Sequence, residues 1–195
     1  MSSRYYRIGM VAIIALLVVI FLVYQLTQPV SNLPERPYVT ERNQALGFSL
    51  AFPTGDAGYY LDQSVELDEP DGLRKVMTLV PYQSLKDYWE PSPGTETPPA
   101  ITAYIFDNLR SLTLADWLRR FNDFSRLSLA LAPPTETTIN GAPAVRYEAD
   151  GLYRANVVAV ESSGKIVLLI GEFHDRNSYL YTDFWSVVAS FAFAD

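Results

Sequence analysis

ETTINGAPAVRYEADGLYRANVVAVESSGKIVLLIGEF, residues 136–173, is the stretch whose reading decides the fold. Asn140-Gly141 separates two β-type runs, Glu136 to Ile139 and Pro143 to Glu148. An Asn-Gly pair in that setting is the strongest short hairpin signal, because both residues tolerate positive φ. Arg154 to Glu161 and Lys165 to Glu172 are aliphatic and β-branched, and they flank a second tight turn, Ser162-Ser163-Gly164. Four strands joined this closely predict an antiparallel meander.

Working outward, Phe48, Leu50 and Phe52 alternate with small residues, which predicts a half-buried strand ended by Pro53. Tyr60 to Leu67 and Leu73 to Val80 read as strands about the acidic turn DEPDG, and Ala100 to Phe106 as a buried strand. The Pro-rich residues 81–99 are expected to form a loop, and a loop of that length is a candidate mobile flap. Leu114, Trp117, Leu118 and Phe121 recur at helical spacing, behind a Thr113–Asp116 pair that resembles a capping box. Residues 124–134 read equally as a continuation of that helix or as a loop. A final helix is expected from about Arg176 to Ser190, with Leu180, Phe184, Val187, Val188 and Phe191 as its apolar stripe and Asp175 or Asn177 as its cap. There is no internal repeat and no βαβ alternation. The expected fold class is α+β, an antiparallel β-sheet flanked by helices.

Ahead of this domain, Ile8 to Tyr24 is uncharged, and with Gln25 and Leu26 it approaches the roughly 20 residues that cross a bilayer as a helix. Arg4 and Arg7 precede it and no basic residue follows before Arg36, so the positive-inside bias places the N-terminus in the cytoplasm. A cleaved signal peptide would have a shorter apolar region and an A-x-A-like site, which QLTQPVSNLPERP does not offer. The expected layout is a cytoplasmic segment 1–7, a preceding transmembrane helix 8–26, an extended linker 27–43 and an extracytoplasmic domain 44–195. The localisation implied is the cell membrane, single-pass.

The part beyond the span carries 13 basic against 22 acidic residues, a formal charge of −9 compared with −7 for the whole chain. Such a surface repels phosphates, so nucleic acid is not an expected partner. With no cysteine there is no disulfide framework, no thiolate chemistry and no lipid-bearing N-terminal cysteine.

Three short motifs carry a resemblance. Gly47 to Pro53 reads G-F-S-x-x-F-P, Ile139 to Ala144 reads I-N-G-x-P-A, and Ser190 to Phe193 reads S-F-x-F. In these the chain resembles PsbP-like domains over residues 44–195, in the manner of a bacterial membrane-anchored PsbP-related protein. That family includes the extrinsic photosystem II subunit P, bacterial relatives and a Ran-binding import factor of the same fold. The resemblance implies an α/β/α sandwich around an antiparallel sheet, and it carries over no functional residue. An anchored outer domain departs from any role in nuclear import.

Chemistry-bearing constellations are sparse. His174 is the sole histidine, beside Glu172 and Asp175, and a lone surface His in that company reads as a solvated loop residue. Ser162 to Lys165 has the S-x-x-K spacing of penicillin-recognising enzymes but lacks their S-D-N and K-T-G elements, and it falls between strands. Glu66, Asp68 and Asp71, with Glu69, are weak candidates for Ca²⁺, and a solvated turn is the preferred reading because Pro70 breaks alternate-residue ligation. Tyr82, Tyr88 and Trp89, near Tyr59 and Tyr60, are the candidates for partner binding. The function expected is therefore a membrane-anchored accessory or interaction module, non-catalytic and without a cofactor, with a protein partner in or near the membrane. Two alternatives stand beside it: a carboxylate-dependent envelope hydrolase, or a carrier of a small apolar ligand between sheet and helix.

Overall fold

The computed structural model describes residues 36–64, 66–69 and 71–193. The expected cytoplasmic segment 1–7, the span 8–26 and the first part of the linker lie outside these residues. Among the described residues no helix is long and apolar enough to cross a membrane.

The meander is present as β6 (Thr135–Ile139), β7 (Ala142–Ala149), β8 (Arg154–Ser162) and β9 (Lys165–Phe173). Asn140 and Gly141 turn the first hairpin with φ of 47° and 85°. The meander is half of a larger sheet. β9 pairs with β5 (Ile101–Asp107), β5 with β4 (Leu73–Pro81), and β4 with β3 (Tyr59–Gln63). All pairings are antiparallel, and the seven strands run in the order β3-β4-β5-β9-β8-β7-β6. The central strands read as unbroken apolar runs because both faces of the sheet are covered. Successive side chains alternate sides, so Val158, Val160, Val167 and Leu169 enter one core while Val157, Ala159, Ile166 and Leu168 enter the other.

On the first face lies helix α4 (Tyr179–Ser190), backed by a small sheet of β1 (Tyr38–Asn43), β2 (Phe48–Pro53) and β10 (Ala192–Phe193). Its expected stripe is in place, with Leu180, Phe184, Val187, Val188 and the following Phe191 all buried. At about 1.5–3 kcal/mol per fully buried apolar side chain, this stripe outweighs the single capping bond of about 1 kcal/mol at the start of the helix. On the second face, α1 (Leu85–Trp89), α2 (Leu114–Arg120) and α3 (Asn122–Ser125) are short. Phe106 there meets Trp117 edge-on at 4.9 Å and Phe124 at 5.2 Å, and Trp117 stacks on Phe121 at 4.7 Å. Thr113 caps α2 as expected, its hydroxyl accepting from Asp116 N at 3.2 Å.

Four expectations change. The linker ends early, since Tyr38–Asn43 pairs with β2 along its whole length; its polar, exposed side chains hide a strand whose stabilisation is backbone pairing. The loop expected over residues 81–99 begins with a 3₁₀ turn, Tyr82–Ser84, and continues as α1, too short for a helical period to register before Pro91. The strand expected to reach Leu67 stops at Gln63, and its neighbour is followed only irregularly, through Ser64 N to Val76 O and Leu67 N to Arg74 O. The last helix is capped by Ser178, which accepts from Tyr181 N at 3.4 Å, because Asp175 is occupied by Asn177 N at 2.9 Å.

The seat of α4 is set by Gly171 on β9. A Cβ placed there would lie 2.3 Å from Phe184 Cδ2 and 2.9 Å from Phe184 Cβ, well inside any real contact. Gly171→Ala is expected to lower unfolding free energy by about 2–3 kcal/mol through overpacking, measured by urea denaturation. Adding Phe184→Leu should recover part of that loss.

A second tie holds the helix from its side. Asp183, 1 % exposed, accepts from both guanidinium nitrogens of Arg36 at 2.6 and 2.5 Å, and from the Tyr59 hydroxyl at 2.8 Å. Asp183→Ala leaves a largely buried guanidinium unpaired, so a loss of about 3–5 kcal/mol is expected in the same assay. Replacing both residues, Arg36→Met with Asp183→Leu, should cost markedly less.

Candidate functional site

The partner-binding candidates converge. Tyr60 on β3, Tyr82 at the 3₁₀ turn and Trp89 at the end of α1 are 39 %, 37 % and 55 % exposed. Tyr60 meets Tyr82 and Trp89 nearly edge-on, with centroids 6.4 and 6.3 Å apart, and Tyr88 meets Trp89 at 5.0 Å. Alternation along β3 produces this arrangement, since Tyr59 turns into the core while Tyr60 turns out. Pro81 then ends β4, and α1 folds back to lay Tyr88 and Trp89 over the sheet's edge. Tyr88 donates to Asp62 Oδ2 at 2.9 Å, which fixes the orientation of α1 on β3. Tyr59 is not part of the patch; it is buried against Asp183.

The acidic candidates do not assemble. Asp68 accepts from Arg74 at 2.6 Å and Asp71 from Leu73 N at 3.2 Å. Among the described residues no three His, Asp or Glu side chains converge as a metal-binding group. His174 is exposed and stands edge-on to Tyr153 at 4.8 Å. Ser162-Ser163-Gly164 is a hairpin turn, and Lys165 beside it binds Asp107 at 2.9 Å.

Three spaces bear on ligand binding. The apolar gap between α4 and the sheet, lined by Met77, Leu79, Leu169 and Val187 among others, has a volume of about 10 Å³, which is too little for an organic ligand. A polar groove of about 240 Å³ holds Asp71 and Asp107, but Asp107 is committed to Lys165 and lies 3.6 Å from Arg74. A third groove, of about 290 Å³, runs between α4 and β7–β8 and contains Arg146, Asn156 and Trp185. No sequence motif marks it, because its residues come from four separate segments.

The fold has a counterpart among solved structures. The solution structure of cyanobacterial PsbP (CyanoP) from Synechocystis sp. PCC 6803 superposes with a TM-score of 0.50, covering 86 % of this chain and 98 % of that one. The domain has a PsbP-like fold. The two sequences are 14 % identical, so the likeness concerns the PsbP-like fold alone. A protein of unknown function from Pseudomonas aeruginosa, PA94, described as a putative regulator, aligns at TM-score 0.32 and 12 % identity over 71 % of this chain and 85 % of its own, too distant to support an argument. No family model and no curated protein matches the sequence.

The Tyr88 hydroxyl is pushed up to about 12, first by burial and then by its hydrogen bond to Asp62. The neutral phenol is favoured in the folded state, so its contribution to stability is complete below about pH 10, the unfolded value, and is lost as pH rises toward 12. Tyr88→Phe should therefore flatten part of the fall in stability between those limits, measured by denaturant unfolding at pH 9 and pH 11.5.

Proposed function

We propose that this chain is a membrane-tethered interaction module. In this reading residues 8–26 span the cell membrane with residues 1–7 in the cytoplasm. The PsbP-like domain lies on the outer side and offers Tyr60, Tyr82 and Trp89 to a protein partner in or near the membrane. One observation carries the proposal: the three exposed rings are gathered on one edge of the sheet and held there by the Tyr88–Asp62 bond. Tyr and Trp present large contact area at low conformational cost, which is why they are enriched where proteins meet. The acidic balance of the domain favours a partner whose contacting surface is apolar or basic.

Because the chain lacks cysteine, single substitutions report topology cleanly. In intact cells, a membrane-impermeant maleimide should label Ser92→Cys and should reach Ser3→Cys only after lysis. Crosslinking of the full-length protein should capture a partner that is lost in Tyr82→Ala/Trp89→Ala and kept in Leu152→Ala, a control at an exposed leucine elsewhere. The same captures from the double variant, or from residues 1–43 alone, would sink the proposal.

A further inference from the structure

We infer that the groove between α4 and β7–β8 binds a small anionic ligand, a carboxylate carried on an apolar or aromatic body. This goes beyond the interaction reading and uses a different part of the surface.

Three observations point to that chemistry. Asn156 lines the groove and is 2 % exposed, yet its Nδ2 has no hydrogen-bond partner; no other buried side-chain nitrogen or oxygen among the described residues is left in that state. A buried donor without a partner costs about 1–3 kcal/mol, and a ligand oxygen would remove that cost. Nearby, the charges do not balance. Glu148 is neutralised by Arg176 at 2.5 Å, whereas Arg146 has no carboxylate within ion-pair distance among the described residues. The groove is left with one uncompensated cation, and the Arg146 guanidinium lies 6.0 Å from the centre of the Trp185 ring. Finally, the groove has apolar side chains for a ligand's body to rest on, among them Leu131, Pro133 and Trp185. The volume of about 290 Å³ sits at the lower end for small-molecule sites, roughly 300 Å³, which limits the ligand to a small one. Arg146 pairs with Val158, two residues along β8 from Asn156, so its guanidinium and the unpartnered amide donor line one face of the sheet and together select an oxyanion, while the indole face selects an apolar body.

The test is calorimetric titration of the full-length chain in lipid nanodiscs with 3-phenylpropionate and, as an uncharged match, 3-phenylpropanamide, empty nanodiscs being subtracted. The carboxylate should bind at least about tenfold more tightly than the amide, and Arg146→Ala should remove that preference. Arg146 is exposed, so the variant retains its fold. Asn156→Leu should weaken carboxylate binding by about tenfold while leaving the thermal midpoint unchanged or raised, because the lost amide had no partner for its Nδ2. Equal binding of the two compounds, no binding of either, or a carboxylate affinity unaffected by Arg146→Ala would overturn the inference.

Discussion

Everything on the first face of the sheet depends on one close approach, Phe184 of α4 resting where Gly171 of β9 has no side chain. The missing Cβ lets the helix sink onto the centre of the sheet, so its whole apolar stripe is buried and almost no free volume remains beneath it. From that seat the helix reaches its other partners at two points. At its C-terminal end, Ser190 accepts from Ala51 N of β2 at 2.8 Å, and Asn140 of the β6–β7 turn donates to Phe191 O at 2.5 Å and Ala189 O at 3.2 Å. At mid-helix, Asp183 reaches Arg36 and Tyr59. A residue larger than glycine at position 171 would lift the helix and loosen all of these at once.

The Arg36–Asp183–Tyr59 group has a different role from the apolar contacts around it. Burial first, and then the neighbouring Asp183 carboxylate, raise the Tyr59 hydroxyl far above its ordinary value, so the phenol stays a hydrogen-bond donor. The hydrogen bonds to Asp183 likewise hold Arg36 in its charged form. Net stabilisation from such a pair is small once desolvation is counted, whereas its geometry is demanding. The apolar stripe therefore supplies most of the energy that holds α4. The ion pair specifies which way the segment entering at Arg36 must run.

Much of this architecture is legible in the sequence because its signals are local. The two hairpin turns, the alternation of Phe48, Leu50 and Phe52, and the stripe from Leu180 to Phe191 each declare themselves within a dozen residues. The three short motifs, at Gly47 to Pro53, Ile139 to Ala144 and Ser190 to Phe193, turn out to meet in space. Phe48 and Ser49 of the first pair with Phe193 and Ala192 of the third, and Asn140 of the second binds the carbonyls at the end of α4. What stayed hidden is non-local. β1 shows little apolar pattern because its partner supplies the hydrogen bonds, and α1 is shorter than two helical turns. The Arg36–Asp183 pair spans almost the whole domain, and the groove around Asn156 draws on residues that no spacing rule connects. The aromatic candidates were legible as residue types, but their convergence required the fold-back of α1 onto β3.

The pairing of β10 with β2 has a consequence for how the chain is made. β2 is synthesised early, yet its neighbours β10 and α4 lie at the far end of the sequence, and Arg36 must wait for Asp183. The β1–β2 hairpin can form early but has nothing to rest on until residues 179–193 are available. The central meander, built from neighbours in sequence, faces no such delay. Assembly of the small sheet therefore waits for the last elements of the domain, and until it occurs Phe48, Leu50 and Phe52 are open to chaperones or to misassociation.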